Sequence, residues 1–258
     1  MTGRRDFPEG AVLVFGGSGG IGSVIARSFG EAGTNVAVTY RSNAARADEV
    51  VKEIEGLGVH AAAFPADVTD RAQIEKAIAD TVARFGRLHS VVFVAGALPV
   101  QDYITQYSDE AWHEAIDVEV HGFYNVVRAA TPALKAGGGG SFVHLGSAGD
   151  IAWANRDGLS VVPKAANEAL VKGVAKEEGR FNIRANSVLI GVIEAGMFLK
   201  FKEQGVFDDA WIKATYARQG LKRLGKPEEV ADAVVFLASN RASYVTGQQI
   251  AVAGGYGI

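Results

Sequence analysis

Ala11-Val12-Leu13-Val14-Phe15 runs directly into Gly16-Gly17-Ser18-Gly19-Gly20-Ile21-Gly22, and the stretch SVIARSFGEAG (23–33) follows. The first five residues are apolar and largely β-branched, as a strand buried on both faces requires, and the last eleven repeat apolar residues every three or four positions, as a helix does. Glycines at the junction let the chain turn tightly, let backbone approach a phosphate and let helix pack on strand. The amides at the start of the helix favour an anion. Strand, glycine turn and helix in this order predict a dinucleotide-binding unit with its pyrophosphate at the helix N-terminus.

The same alternation continues outward. Further strands are predicted at NVAVTY (35–40), VHAAAF (59–64), SVVFVA (90–95), SFVHL (141–145), IRANSVLI (183–190) and QQIAVA (248–253). Amphipathic stretches such as DRAQIEKAIADTVARF and DEAWHEAIDVEVHGFYNVVRAATPAL lie between them, and a further helix follows Pro227. Alternating β and α predicts a Rossmann-type α/β fold: a doubly wound, seven-stranded parallel sheet with helices on both faces. No repeat, linker or composition break divides residues 1–258, and Gly137 to Gly140 reads as a turn. A single domain is expected.

The chain has 258 residues, 48% of them hydrophobic, enough for a sizeable core. Its 26 basic and 29 acidic residues leave a formal charge of -3, which points away from nucleic acid and anionic membranes and toward a small molecule. There is no cysteine, hence no disulfide, thiolate nucleophile or thiolate metal site, and no metal centre is expected. The opening MTGRRDFPEG holds no apolar signal core, and no apolar run approaches the roughly 18 residues of a membrane span. A cytoplasmic location is expected.

The second strand ends in Thr39-Tyr40-Arg41-Ser42-Asn43, where an NAD site would place an acid for the ribose 2′-hydroxyl. No acid is present, and Arg41, with Ser42 or Asn43, suits a 2′-phosphate. This favours NADP(H), with NAD(H) left open.

Gly16, Gly20 and Gly22, spaced G-x-x-x-G-I-G, resemble the short-chain dehydrogenase/reductase family, in particular its 3-oxoacyl-ACP reductase-like branch. So do Asp67 in Ala66-Asp67-Val68-Thr69-Asp70, Ala95-Gly96, the long helix from Trp112 to Gly122, Arg223 to Ala231, and Thr246-Gly247 with Gly254-Gly255. The resemblance runs nearly end to end. It implies a cofactor held by Gly16, Ser18, Gly19, Gly20, Ile21 and Gly22 at the phosphates, and by Arg41, Ser42, Asp67 and Val68 toward the adenosine. Ala95, Gly96, Lys164, Gly191 and Ile193 complete the implied set. It also implies a homodimer or homotetramer built on the helices around 109–135 and 158–179.

The family works with Asn, Ser, Tyr and Lys: tyrosine moves the proton, lysine lowers its pKa and holds the ribose, serine orients the substrate oxygen, and asparagine anchors a relay water. Ser147 in Leu145-Gly146-Ser147-Ala148-Gly149 and Lys164 in Pro163-Lys164-Ala165-Ala166-Asn167 match. The tyrosine position, four residues before Lys164, is Ser160, and the asparagine position is Glu119. Ser147 stands 13 residues before Ser160 and 17 before Lys164, the family spacing, with no tyrosine between Ser147 and Lys164. Phe15, Phe93-Val94 and Ile190 also depart from the family pattern.

A serine hydroxyl is shorter and far less acidic than a phenol. Another group must therefore supply the proton if a carbonyl is reduced. Glu119 is one candidate, through water beside Lys164 or as that lysine's charge partner only; Tyr103, His121 and His144 are others, each also readable as packing. The segment 193–220, with Met197, Phe198, Leu199, Phe201, Phe207 and Trp211, falls at the family's substrate lid and suggests an apolar substrate, or else packing. An NADP(H)-dependent carbonyl/alcohol oxidoreductase is the leading expectation. A lyase, retro-aldol or dehydratase-type enzyme on the same scaffold and a catalytically silent subunit are the alternatives.

Overall fold

The structure is a computed structural model that describes residues 5–258. Seven strands form one parallel sheet: β1 (Ala11–Phe15), β2 (Asn35–Tyr40), β3 (Ala61–Pro65), β4 (Leu88–Phe93), β5 (Gly140–Ser147), β6 (Ile183–Ile190) and β7 (Gln249–Val252), in the order β3-β2-β1-β4-β5-β6-β7. The central β1 and β4 are buried along their whole length, as their continuous apolar runs require. Strand order reverses between them, which opens a crevice beyond Phe15 and Phe93 where ligands settle in open α/β sheets.

Helices α1 (Gly20–Glu31), α2 (Ala44–Glu55) and α9 (Pro227–Ala238) cover one face, where Ile25, Phe29, Ile54, Val234 and Leu237 are buried against β1, β2 and β6. The other face is covered by α3 (Arg71–Phe85), α5 (Gly122–Ala136) and α6 (Gly158–Glu178), with Ile74, Phe123, Leu134 and Val171 against β1, β4 and β5. Short helices α7 (Met197–Glu203) and α8 (Asp209–Ala217) occupy the segment predicted as a lid. No helix among the described residues is long and apolar enough to cross a membrane.

Three sequence boundaries shift for identifiable reasons. β4 begins at Leu88 and ends at Phe93, because Phe93 is the last residue paired with β5 and Ala95 instead packs on the glycine turn. β3 begins at Ala61, where pairing with Val36 starts, and ends at Pro65. The long amphipathic stretch from 109 is not one α-helix: α4 (Asp109–Ala115) passes through a π-helical turn, Ile116–His121, before α5. Such turns cost regular hydrogen bonding and tend to mark functional positions; this one carries Glu119. The turn predicted at Gly137 to Gly140 ends one residue sooner, because Gly140 already pairs with Ile183 as the first residue of β5; Gly139 sits at φ +114 with no room for a Cβ beside the Asn182 carbonyl.

His89 on β4 is 2% exposed, stacks on Phe7 and bonds Thr34 Oγ1 through Nε2 at 2.9 Å. Burial, aided by the nearby Arg87 charge, lowers its pKa to about 3. An unfolded histidine takes up its proton below pH ~6.5, so the unfolded chain binds more protons between that pH and the folded value. Stability should therefore fall on acidification by about 1.4 kcal/mol per pH unit below pH ~6.5. Urea titrations at pH 7 and pH 5 should reveal the loss, and His89→Gln should flatten the slope; equal slopes in both proteins would exonerate His89.

Candidate active site

The glycine turn is held from beneath. Gly16, at φ +82, donates its amide to Thr39 Oγ1 (3.1 Å), and a Cβ there would meet the Ala95 backbone at 2.8 Å. A Cβ on Gly22 would overlap the Gly16 carbonyl at 2.2 Å, so α1 approaches the turn as only glycine allows. Gly19 caps α1 without a side chain, and Ser23 N returns to Gly19 O at 2.8 Å. The amides of Gly20, Ile21 and Gly22 point out of the first turn, where an intrahelical acceptor is missing, and form an anion cradle. Ser18 lies half-buried beside them. Thr39, 1% exposed, was not singled out from sequence; a buried threonine one strand away from a glycine turn is the signal that would have found it.

Arg41 and Ser42 stand exposed just beyond β2, and Arg41 makes no ion pair among the described residues. Asn43 instead caps α2, accepting from Arg46 N at 2.9 Å. Asp67 Oδ1 accepts from Thr69 N and Oγ1 at 2.9 and 2.7 Å, which fixes the carboxylate after β3, and Val68 is buried against Gly122. Gly191 packs on Ala253 and Ile193 bridges to Gly225 on the opposite side of the crevice. The residues present thus fit a dinucleotide: a cradle that Cβ atoms would fill, a free guanidinium at the adenosine end, and no acid there.

Lys164 on α6 lies 7% exposed and donates to Glu119 Oε1 at 2.6 Å; Glu119 is 3% exposed. Gly96 makes room for this carboxylate, since a Cβ there would sit 2.7 Å from Glu119 Oε1. Asn167 Nδ2 donates to the Glu119 carbonyl at 3.0 Å and lies 3.2 Å from His144 Nε2. Because a carbonyl only accepts, the Asn167 amide orientation is determined, His144 Nε2 accepts, and its Nδ1 proton goes to Glu168 Oε1 at 3.1 Å. Gln249 donates to Glu168 Oε2 at 2.9 Å and closes the chain. Burial raises the Glu168 carboxyl, but the hydrogen bonds it accepts from His144 and Gln249 outweigh it and hold the pKa below the ordinary value. Asn167 was overlooked in the sequence; its place one turn after Lys164 is the cue.

Ser147 ends β5 and accepts from Gly149 N at 3.1 Å, which leaves its own proton to donate outward. Ser160 lies half-buried one turn before Lys164, its amide bonded to Asp157 O at 3.0 Å. Lys164 and Glu119 thus meet directly, Ser160 shares the Lys164 face of α6, and Ser147 stands on the neighbouring strand end. The other proton-donor candidates fall away from this cluster. Tyr103 is 62% exposed with Arg156 over its ring, His121 is exposed and paired with Asp117 at 2.8 Å, and His144 is fully buried between Phe123 and Phe93.

In the segment 193–220 the aromatic residues pack on one another: Phe207 stacks on Trp211 at 3.8 Å and meets Phe201 at 4.9 Å and Phe198 at 5.9 Å. Apolar surface nonetheless stays exposed in the loops after β4 and β5 and on α7, at Leu98, Val100, Ile151, Trp153 and Leu199.

A family model described as enoyl-(acyl carrier protein) reductase matches residues 16–257. A 3-oxoacyl-(acyl-carrier-protein) reductase of Staphylococcus aureus is 32% identical over 249 residues, 95% of this chain and 97% of the relative. Among solved structures, a short-chain type dehydrogenase/reductase from Mycobacterium ulcerans superposes with a TM-score of 0.91 at 33% identity, covering 97% of this chain and 90% of the other. L-sorbose reductase from Gluconobacter frateurii, solved with NADPH and L-sorbose, gives 0.90 at 26% identity over 98% of both chains. On the strength of a match spanning nearly every residue, this chain belongs to the short-chain dehydrogenase/reductase family and is an oxidoreductase of that family.

Proposed function

We propose that the chain is an NADP(H)-dependent reductase of a carbonyl on an apolar substrate, with Lys164, Glu119, Ser147 and Ser160 as its catalytic group. The observation that carries the cofactor half is the conjunction at one crevice of the open amides of Gly20 to Gly22 with the unpaired Arg41, where β2 offers no acid. Guanidinium pairs bidentately with a phosphate, and an acid in its place would repel one. A relative solved with NADPH fits this reading. Bound there, the nicotinamide supplies the hydride.

The protein's own groups then have distinct tasks. Gly16 and Gly22 admit the pyrophosphate to the turn, Asp67 and Val68 flank the adenine, and Ala95, Gly96, Gly191 and Ile193 line the passage toward the nicotinamide. Lys164 has donors left after its bond to Glu119 and holds the ribose. Ser147, its oxygen already accepting from Gly149, turns its proton to the substrate oxygen and orients it. Glu119 balances the Lys164 charge in a buried setting where an uncompensated ammonium would be costly. Leu98, Val100, Ile151, Trp153 and Leu199 favour an apolar substrate body, with segment 193–220 as its cover.

The direct test is oxidation of NADPH, followed spectroscopically, with acetoacetyl-CoA, trans-1-decalone and acetophenone. Tight NADPH binding with no turnover on any of them would count against the reading. Arg41→Ala should weaken NADPH binding on the order of 10-fold to 100-fold, as loss of a charge-assisted phosphate contact of about 1.5–3 kcal/mol implies, and leave NADH binding unchanged. Equal weakening of both cofactors in titration calorimetry would remove Arg41 from the 2′-phosphate.

The buried pair makes a separate prediction. Lys164→Met or Glu119→Gln alone should each destabilise the fold by about 3–5 kcal/mol, since each strands a buried polar partner. The double variant should lose clearly less than the sum in urea denaturation, and additive losses would mean that the two side chains are not coupled.

A further inference from the structure

Asp157 is the N-cap residue of α6, yet its side chain makes no capping bond to the first-turn amides, the usual role of aspartate there. Its carboxyl instead accepts from Gln101 Nε2 at 2.8 Å, and the Ser160 amide donates to the Asp157 carbonyl at 3.0 Å, which holds the two residues together in the first turn. Asp157, Ser160 and Lys164 stand at i, i+3 and i+7, one stripe of the helix, and helical side chains lean toward the N-terminus, so Ser160 tilts back to Asp157. The backbone around it is pinned: Asp157 bridges Asp102, and Tyr107 Oη accepts from Gly158 N at 3.0 Å. A carboxyl thus sits one turn behind the residue that replaces the family's tyrosine.

Resting on the reductase reading above, we propose that Asp157 and Ser160 together replace the missing phenol, the Asp157 carboxyl as the proton source and the Ser160 hydroxyl as the group that hands the proton to the substrate oxygen. The carbonyl carbon receives the hydride that reduced nicotinamide supplies, and the C=O π bond breaks toward oxygen. That oxygen takes the Ser160 proton, Ser160 takes the Asp157 proton, and Asp157 is left as carboxylate until solvent protonates it. The products are the alcohol and oxidised nicotinamide, and charge balances.

Glu119 is committed to Lys164 by the 2.6 Å bond, whereas Asp157 faces a mixed surround. Lys164 approaches from its own helix, Arg156 with its partner Asp102 from the adjoining loops, and Tyr256 and Arg218 from the C-terminal side. Burial raises the Asp157 pKa, outweighing the opposing effects of Gln101, the Lys164 charge and Ser160, so a proton stays available above the ordinary carboxylate range. Reduction should therefore weaken as pH rises through that pKa.

The experiment compares wild type, Asp157→Asn, Ser160→Ala and the double variant with NADPH and whichever of the three ketones wild type reduces fastest. Asp157→Asn keeps an oxygen to accept from Gln101 but brings no acidic proton. Expected are a kcat loss on the order of 100-fold with KM and NADPH affinity little changed, disappearance of the fall in kcat as pH rises through the Asp157 pKa, and a double variant no slower than the slower single. A protonated-carboxyl infrared band present in wild type and lost in Asp157→Asn should accompany this, read without turnover. Undiminished kcat and an unaltered pH profile in Asp157→Asn would overturn the proposal while the reductase reading stands, and so would multiplicative losses in the double variant. Wild type that binds NADPH but reduces none of the ketones would overturn the reductase reading and this proposal with it.

Discussion

A lysine ammonium taken out of water needs a counter-charge within bonding distance, and much of the active-site architecture follows from meeting that need at Lys164. Glu119 meets it at 2.6 Å. To present that carboxylate, the helix entering α5 widens into a π turn, and the Asn167 amide takes up the Glu119 carbonyl. To leave room for it, the chain after β4 carries glycine at position 96. The polar chain then passes inward through His144 to Glu168 and Gln249, so each buried polar residue along it has a partner on the next element.

The second organising feature is the reversal of strand order between β1 and β4. It separates the two helical layers and leaves the strand ends Phe15 and Phe93 bordering an open crevice. On one flank of this crevice Thr39 and Ala95 shape the turn at Gly16, and on the other Ser147, Ser160 and Lys164 come from β5 and α6. Phe93 at the end of β4 packs on Phe123 of α5 and beside His144, so this strand end is apolar where it borders the crevice. A few residues away, the Glu119 carboxylate reaches the Lys164 ammonium directly.

Much of the fold and of the candidate site is legible in sequence because the residues lie in local patterns. Glycine spacing after an apolar strand demands a particular backbone whatever surrounds it, and the seven β-branched runs alternate with helices strictly enough to define a doubly wound sheet. Lys164 and Ser160 share a helix face by their separation alone. The proton-donor candidates Tyr103, His121 and His144 were indistinguishable in sequence, because a side chain's direction depends on the element packed against it. Structure puts the first two in solvent and the third in the core. The aromatic lid was ambiguous in the same way until Phe207 was seen stacked on Trp211.

Short-range chemistry along the chain therefore determined the strand, turn and helix pattern, the tight glycine turn before α1, the absence of an acid beside Arg41 and the placing of Ser160 and Lys164 on one helix face. Tertiary structure decided what depends on distances between residues far apart in sequence: the contact of Glu119 with Lys164 across 45 positions, the insertion of the π turn, and the bond from Gln101 to Asp157 across 56 positions. The physical reason is that backbone conformation is set largely by neighbours a few residues away, whereas the charge state and direction of a buried side chain are set by whatever the fold brings against it.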